Sequence, residues 1–402
     1  MKVLAVIDAL NFGGAENLLS TLGRIGPRHD LDVSVLSLGG STGEQASWLS
    51  VLQDAGLSAR FLGIKRLSQP DGIPRLARAI RGFGPDVVHA HLEDSATLVP
   101  IATRLTGHAC VSTYHHVPRP LDGREKIRER LSVLAANRGE RVLFVSAASR
   151  DGFASSYRGP QANWAVLHNG VDLARFAPAA AGSRRQLPDD LDVRGGGPVV
   201  TVLGRLGVGK GQATALAAWP RVLAVVPEAL LLLVGDGPLE ADLRAQVAAL
   251  RLQHRVVFAG RRTDAESILG ASTLTCLPTV REALPTALIE AAACGIPAVA
   301  SGGSGVVEVV DEGRTGLLFD YGDEIGLADA VVALLRDEPR RTAMGAAARQ
   351  LAEHRFDAEL WADRLHEIYR QARLDSAARW RNAHRPGVRS PAQPGPQPDR
   401  QR

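Results

Sequence analysis

Two glutamates stand eight positions apart in REALPTALIEAAACG, residues 281–295: Glu282 and Glu290. Between them is Pro285, a residue favoured at the first position of a helix, so Glu282 belongs to a loop and Glu290 to the helix behind it. The open N–H groups of a helix starting there favour an anion. A loop carboxylate beside them suits the neutral hydroxyls of a ligand, and one farther along suits both hydroxyls of a ribose. The plain alternative is a capping charge and a solvated helix charge. Against it, the residues after Glu290, AAACGIP, are small or apolar. They predict a buried helix, where a carboxylate is costly unless hydrogen bonded.

A second set is GRLGVGKG, residues 204–211. Gly204, Gly209 and Lys210 satisfy GxxxxGK, the pattern of a nucleotide-hydrolysing P-loop. That pattern needs Ser or Thr next, to ligate magnesium, and Gly211 offers no side chain. The other chemistry open to the segment is electrostatic. Arg205 as a forked donor and Lys210 as a compact charge suit a diphosphate without a metal. Two solvated charges at a strand end is the reading with no function.

Gly13 and Gly14 in LNFGGAEN allow close approach of a ligand to the backbone, although any tight strand-to-helix turn uses glycines this way. GxGxxG is absent and no acidic residue closes DVSVLSLGG, which argues against an NAD site. Histidines gather at the ends of apolar runs: His89 and His91 in DVVHAHLED, His115 and His116 in STYHHVP, His168 in LHNGVD. No HExxH or tight Cys/His spacing makes them metal ligands. Hydrogen bonding to a polar ligand in a cleft suits them, as does a structural role for any one alone.

These residues need elements to position them. Over the first 170 residues the apolar runs KVLAVID, DVSVLSL, SARFLGI, DVVHAHL, ACVSTYH, RVLFVSA and WAVLHNG alternate with helical patterns. PVVTVLGR, ALLLLVGDG, RVVFAGR, STLTCLP and PAVAS continue the alternation after a break at 177–197 rich in Ala, Gly, Pro and charge. This predicts α/β architecture with parallel sheets covered on both faces. Ligands bind outside the carboxyl ends of such strands, where the motifs above fall. The expected organisation is a first domain over 1–180, a second over 195–355 and a helix over 356–374. Residues 375–402, poor in apolar side chains, form the expected disordered tail.

A chain of 402 residues suits two domains of roughly 150 to 200 residues each, and two domains imply a cleft. With 45% hydrophobic and 22% charged residues the composition is globular. Net charge is 47 − 43 = +4, and six arginines against two aspartates over 375–402 account for all of it. The near-neutral remainder argues against a nucleic-acid partner. Cys110, Cys276 and Cys294 lie in apolar settings, unlike a disulfide framework, and place the expected compartment in a reducing cytoplasm. No run approaches the roughly 20 apolar residues that span a bilayer. Asp8 interrupts the opening MKVLAVIDAL, which predicts a strand and not a signal peptide. The basic segment 119–141 predicts an amphipathic helix, with either a solvated face or a peripheral contact with anionic headgroups at the inner membrane surface.

In their order and positions, GGAE (13–16), NGVD (169–172), GRL followed by KG (204–206, 210–211), GDGP (235–238) and Glu282 with Glu290 ahead of ACGIP resemble a family 4 glycosyltransferase. The resemblance covers residues 1 to about 374. It implies the GT-B fold, two doubly wound Rossmann-like domains facing a cleft, the first for the acceptor and the second for the donor. It implies a retaining, metal-independent transfer from a nucleotide diphosphate sugar, expected to be UDP-linked, to a saccharide or lipid-linked acceptor in envelope or exopolysaccharide synthesis. The nucleotide sugar is a co-substrate, and no cofactor is implied. Arg205 and Lys210 would hold the diphosphate and Glu290 the ribose. Glu282 with the backbone of Ala283 and Leu284 would meet the donor sugar, with Gly235 nearby. Gly13 and Gly14 would lie near phosphates and acceptor, and His115 near the reacting sugar. Three departures stand out: Leu284 where many members have glycine, His168 before NGVD, and Trp219-Pro220 interrupting the helix after Lys210. A non-catalytic sugar-nucleotide or glycan-binding protein on the same fold is the other reading, beside the P-loop hydrolase.

Overall fold

Apolar runs too short to be buried helices pair side by side, and the amphipathic segments between them cover both faces. The structure, a computed structural model, describes residues 1–10, 13–40, 43–179, 186–191 and 196–383. Its first half runs β1 (Lys2–Ile7), α1 (Gly14–Ile25), β2 (Asp32–Ser37), α2 (Gly43–Asp54), β3 (Ser58–Phe61), α3 (Gly72–Phe83), β4 (Val87–His91), α4 (Glu93–Thr106), β5 (Ala109–Tyr114), α5 (Gly123–Ala136), β6 (Arg141–Phe144), α6 (Ala147–Tyr157) and β7 (Trp164–Val166). The second runs β8 (Val199–Leu203), α7 (Gln212–Val225), β9 (Leu230–Val234), α8 (Glu240–Ala249), β10 (Val256–Gly260), α9 (Ala265–Ala271), β11 (Leu274–Leu277), α10 (Thr286–Ala293), β12 (Ala298–Ser301), β13 (Gly316–Phe319), α11 (Glu324–Arg336), α12 (Glu338–Arg355) and α13 (Ala358–Ala383).

The sheets are parallel throughout, in the orders β3-β2-β1-β4-β5-β6-β7 and β10-β9-β8-β11-β12-β13. Each order reverses beside the first strand of its half. The β1/β4 and β8/β11 gaps are therefore the places where loops diverge and leave a crevice. β4, β5 and β9 are buried along their whole length, as strands sandwiched between two helical layers must be.

Each strand expected from sequence is present, and one more, β13, closes the edge of the second sheet. It has four residues, GLLF, two of them buried and two partly buried, too short a run to signal a strand. Pro220 does not interrupt the helix after Lys210. α7 continues through it, with Trp219 fully buried. The final helix also outruns its expected end. Residues 375–383, assigned by composition to the tail, are helical because the first domain holds them. Asp375 pairs with Arg141 at 2.8 Å, Arg379 pairs with Glu140, and the Trp380 ring faces Gly107. The rest of the expected tail, 384–402, lies outside the described residues, as do 180–185 and 192–195 of the break at 177–197.

α13 belongs to the first domain although the second precedes it. Its Ala358, Trp361, Ala362, Leu365 and Tyr369 join the core of β1 and α1. The outgoing and returning chain are stitched where they cross: Val171 N donates to Phe356 O at 2.7 Å and Ala358 N to Val171 O at 3.0 Å. An apolar seam continues across the halves, with Val145 of the first clustering with Leu284, Leu288 and Val306 of the second.

Candidate functional site

The crevice beside β8 and β11 is built from backbone packed too closely for side chains. A Cβ on Gly235, at φ +131, would lie 2.2 Å from Gly204 O, so packing alone accounts for this glycine. A Cβ on Gly211, at φ +72, would lie 1.7 Å from Pro278 O. No serine or threonine can stand there, which removes the P-loop reading of GRLGVGKG on steric grounds. The loops are cross-linked by Val280 N donating to Gly209 O at 2.8 Å. They carry Lys210 to Glu282, with Nζ 2.5 Å from Oε1, and Thr279 Oγ1 adds a bond to the same oxygen at 3.3 Å. Arg205 projects into solvent with no side-chain partner among the described residues.

Behind Glu282 the chain turns into α10, with Pro285 at the N-cap. Gly305 fixes that turn by donating to Glu282 O at 2.9 Å. Among the described residues the N–H groups of Ala283, Leu284, Thr286 and Ala287 have no acceptor, so they offer four donors with the positive end of a helix dipole. The Leu284 side chain, 7% exposed, is packed into the apolar seam. Its part in a pocket is through its backbone.

Glu290 is half-buried on α10, and its carboxylate has no hydrogen-bond partner among the described residues. Desolvation raises its pKa to about 7, with Arg175 opposing the rise and Glu266 adding to it. Arg175 is committed to Glu266 at 2.7 Å. Such a carboxylate is costly to hold in the folded chain and suits hydroxyl donors brought by a ligand.

The first domain reaches the same place. A Cβ on Gly14 would lie 3.6 Å from Thr286 Oγ1, so the start of α1 touches the start of α10. A Cβ on Gly13 would meet only the carboxylate end of Glu16, at 2.7 Å from Oε2, a side chain able to move aside. At the end of β5 the two adjacent histidines part ways. His115 Nε2 is 3.1 Å from His91 Nδ1, the His91 ring stands 4.1 Å from that of His89, and His89 bridges Tyr369 OH and Thr113 Oγ1 at 2.7 Å each. Burial, reinforced by neighbouring imidazoles, holds all three pKa values down, that of His89 to about 3. They are neutral hydrogen-bonding groups. His116 instead lies 3.2 Å from Glu129 Oε2 and 3.3 Å from Glu93 Oε1. These three could ligate a cation, their ligand atoms all within 4.8 Å of one another.

Sequence reasoning gave no role to the side chains that hold the halves together. Glu308 accepts from the N–H groups of Ala147 and Ala148 at the start of α6, at 3.0 and 2.9 Å, and from His168 Nε2 at 2.9 Å. Arg281 Nη1 donates to Pro118 O at 3.2 Å. Only their place after strands β12 and β11 hinted at them. Lys210 thus meets Glu282, Gly235 packs on Gly204 beside Arg205, Ala283 and Leu284 lead into α10, which carries Glu290 near Arg175 and Glu266, and Gly14 approaches Thr286 at the start of that helix. Among the described residues no hydrogen bond links His115 to that set.

Residues 183–351 match the family described as Glycosyl transferases group 1 and residues 12–175 the one described as Glycosyltransferase Family 4. Among curated relatives, the GDP-mannose-dependent monoacylated alpha-(1-6)-phosphatidylinositol monomannoside mannosyltransferase of Corynebacterium glutamicum is 32% identical over 56% of this chain, and the match spans 61% of its own length. An alpha-maltose-1-phosphate synthase of Mycobacterium tuberculosis is 31% identical over 75% of this chain and 86% of its own. HepE of Anabaena, solved in complex with UDP and glucose, superposes with a TM-score of 0.77 at 22% identity, covering 91% of this chain and 98% of that one. The shared fold is GT-B.

Proposed function

The chain belongs to family 4 of the glycosyltransferases, and from that premise we propose that it transfers a sugar from a nucleoside diphosphate sugar, UDP-linked, to a saccharide or lipid-linked acceptor with retention at the anomeric carbon. The reading is supported by the pairing of Lys210 with Glu282 beside the start of α10, whose first N–H groups are open, and by Glu290 farther along that helix, which has no hydrogen-bond partner among the described residues.

Each part has a task. Glu290 accepts from the ribose hydroxyls, which replace the hydrogen bonds its buried position denies it. Arg205 and Lys210, with the start of α10, take the diphosphate. Glu282 and the N–H groups after it face the hydroxyls of the donor sugar. As the bond from the anomeric carbon to the phosphate oxygen breaks, negative charge grows on the diphosphate where these fixed donors are aimed. The acceptor oxygen bonds to the same face of that carbon and its proton passes to the departing phosphate oxygen, so no protein nucleophile is used. Neutral His115 donates to or accepts from a hydroxyl near the reacting centre. Domain contacts at Gly14 and Thr286 bring acceptor and donor together and exclude water. With phosphate charge met by protein cations, the transfer proceeds without a metal.

The test is a thermal-shift screen with UDP-, GDP- and ADP-sugars, followed by nucleoside diphosphate release in the presence of acceptor and chelator. Stabilisation by UDP-sugars, chelator-resistant release and an axial-retained product by NMR are expected. Binding without turnover would favour a glycan- or nucleotide-sugar-binding protein, and preference for GDP-sugars would overturn the choice of base. Loss of release with chelator would overturn metal independence.

A further inference from the structure

Helix α5 has apolar side chains on both of its faces. The inner face seats Val133 and Ala136 in the core and carries Glu129 and Ser132 to His116 and Tyr114. The outer face sets Ile127, Leu131 and Leu134 in one stripe at i, i+4 and i+7, exposed by 61%, 53% and 48%. Three large aliphatic side chains aligned in water on one stripe are unlike the scattered apolar residues of an ordinary surface.

The charge around this stripe has one sign. Arg124 and Arg130 flank Ile127 at i−3 and i+3, Lys126 lies beside them, and none has a side-chain partner among the described residues. Of the acidic residues of the helix, Glu129 is buried, and Glu125, exposed and paired with Arg119 at 3.5 Å, stands at i−2 from Ile127, on the side of the helix away from the stripe. α4 packs beside α5, where Arg104 Nη2 donates to Arg138 O at 3.2 Å, and carries the exposed Ile101 one turn before that arginine.

We infer that the outer face of α5, with the end of α4, docks on an anionic lipid surface, the aliphatic stripe entering the headgroup boundary and the arginines meeting lipid phosphates. An apolar stripe bordered by unpaired cations is the pattern of a helix lying in a membrane interface. A protein partner would require acidic complementarity on a defined surface, whereas a bilayer supplies both the apolar layer and a continuous negative charge. Because the inner face of the same helix holds the loop of His115 and His116, docking sets the first-domain side of the crevice at the membrane. This deepens the proposed function, from which it takes the idea of a lipid-linked acceptor.

The test is flotation of the full chain with vesicles of phosphatidylcholine, alone or mixed with phosphatidylglycerol. Binding to the mixed vesicles only, weakened by salt, is expected. Arg124→Ala and Arg130→Ala should each lower the apparent affinity about fivefold, and Leu131→Glu should abolish flotation with an unchanged melting curve. No binding to either vesicle, equal binding to both, or wild-type flotation of the stripe variants overturns the proposal. So does a concentration-dependent dimer that Leu131→Glu disperses, which would assign the face to a second copy of the chain. Lys210→Ala should float as the wild type does while losing the donor-induced thermal shift, so that failure at the crevice and failure at this face are told apart.

Discussion

Lys210 and Glu282 hold each other at 2.5 Å, and the lysine matters most where charge develops on a departing phosphate. Lys210→Ala should lower kcat about 10²- to 10³-fold, the range seen when one donor to a developing anion is removed, with a smaller change in donor KM. Steady-state kinetics decides it, and an unaffected kcat would remove Lys210 from the mechanism. Glu290 gives a prediction with a pH axis. Its folded pKa, raised to about 7 from an ordinary 4.5, means that ionisation works against the folded state: stability conferred by the protonated form is lost as pH rises from 4.5 through about 7. Glu290→Gln should therefore stabilise the unliganded protein at pH 8, by at most about 3 kcal/mol, while weakening donor binding. Wild-type donor affinity should rise through pH 7 as the acceptor carboxylate forms, and titration calorimetry with the donor across that range checks it. At this scale the loop position of Glu282 and the helical position of Glu290 were legible, because Pro285 between them marks the start of α10. The parting of His115 from His116 was not, because Glu129 on another element decides it.

Among the elements, the β8 loop offers the sharpest test. Gly211 needs both its left-handed backbone and its missing Cβ, so Gly211→Ala should cost about 2 to 4 kcal/mol from conformation and overlap combined. Denaturant unfolding measures the loss, and an unchanged midpoint would show that the loop tolerates a side chain. Sequence pattern found the long apolar strands because burial on both faces demands continuous apolar runs. It missed β13, a run of four residues with only its ends buried, and stopped α13 too early. Pair contacts with Glu140, Arg141 and Gly107 leave no periodic trace in DSAARWRNA. At Trp219-Pro220 a local rule against proline lost to burial of the preceding tryptophan.

For the whole molecule, Glu308 is the strut to cut. Burial pushes its carboxyl up, but His168 and the two α6 N–H groups outweigh that and hold it below 4.5. Its contribution is thus complete above 4.5 and is lost as pH falls through the lower folded value. Glu308→Ala should cost about 1 to 3 kcal/mol at neutral pH, a cost that shrinks in acid, and should enlarge the radius of gyration in solution scattering. Unchanged stability and dimensions would show that the halves are held elsewhere. The two-domain plan was legible in the doubled alternation of strands and helices. The seam of Val145 with Leu284 and Val306 was not, since nothing local marks which apolar residues face another domain.

The stitch between Val171 and the Phe356–Ala358 turn gives this assembly a spine. Two passages of the chain bound side by side would make one pivot, so that any opening of the halves would turn about that line as book covers do. In such a turn the edge farthest from the spine would travel most, and a substitution at the spine would alter every position along that arc at once.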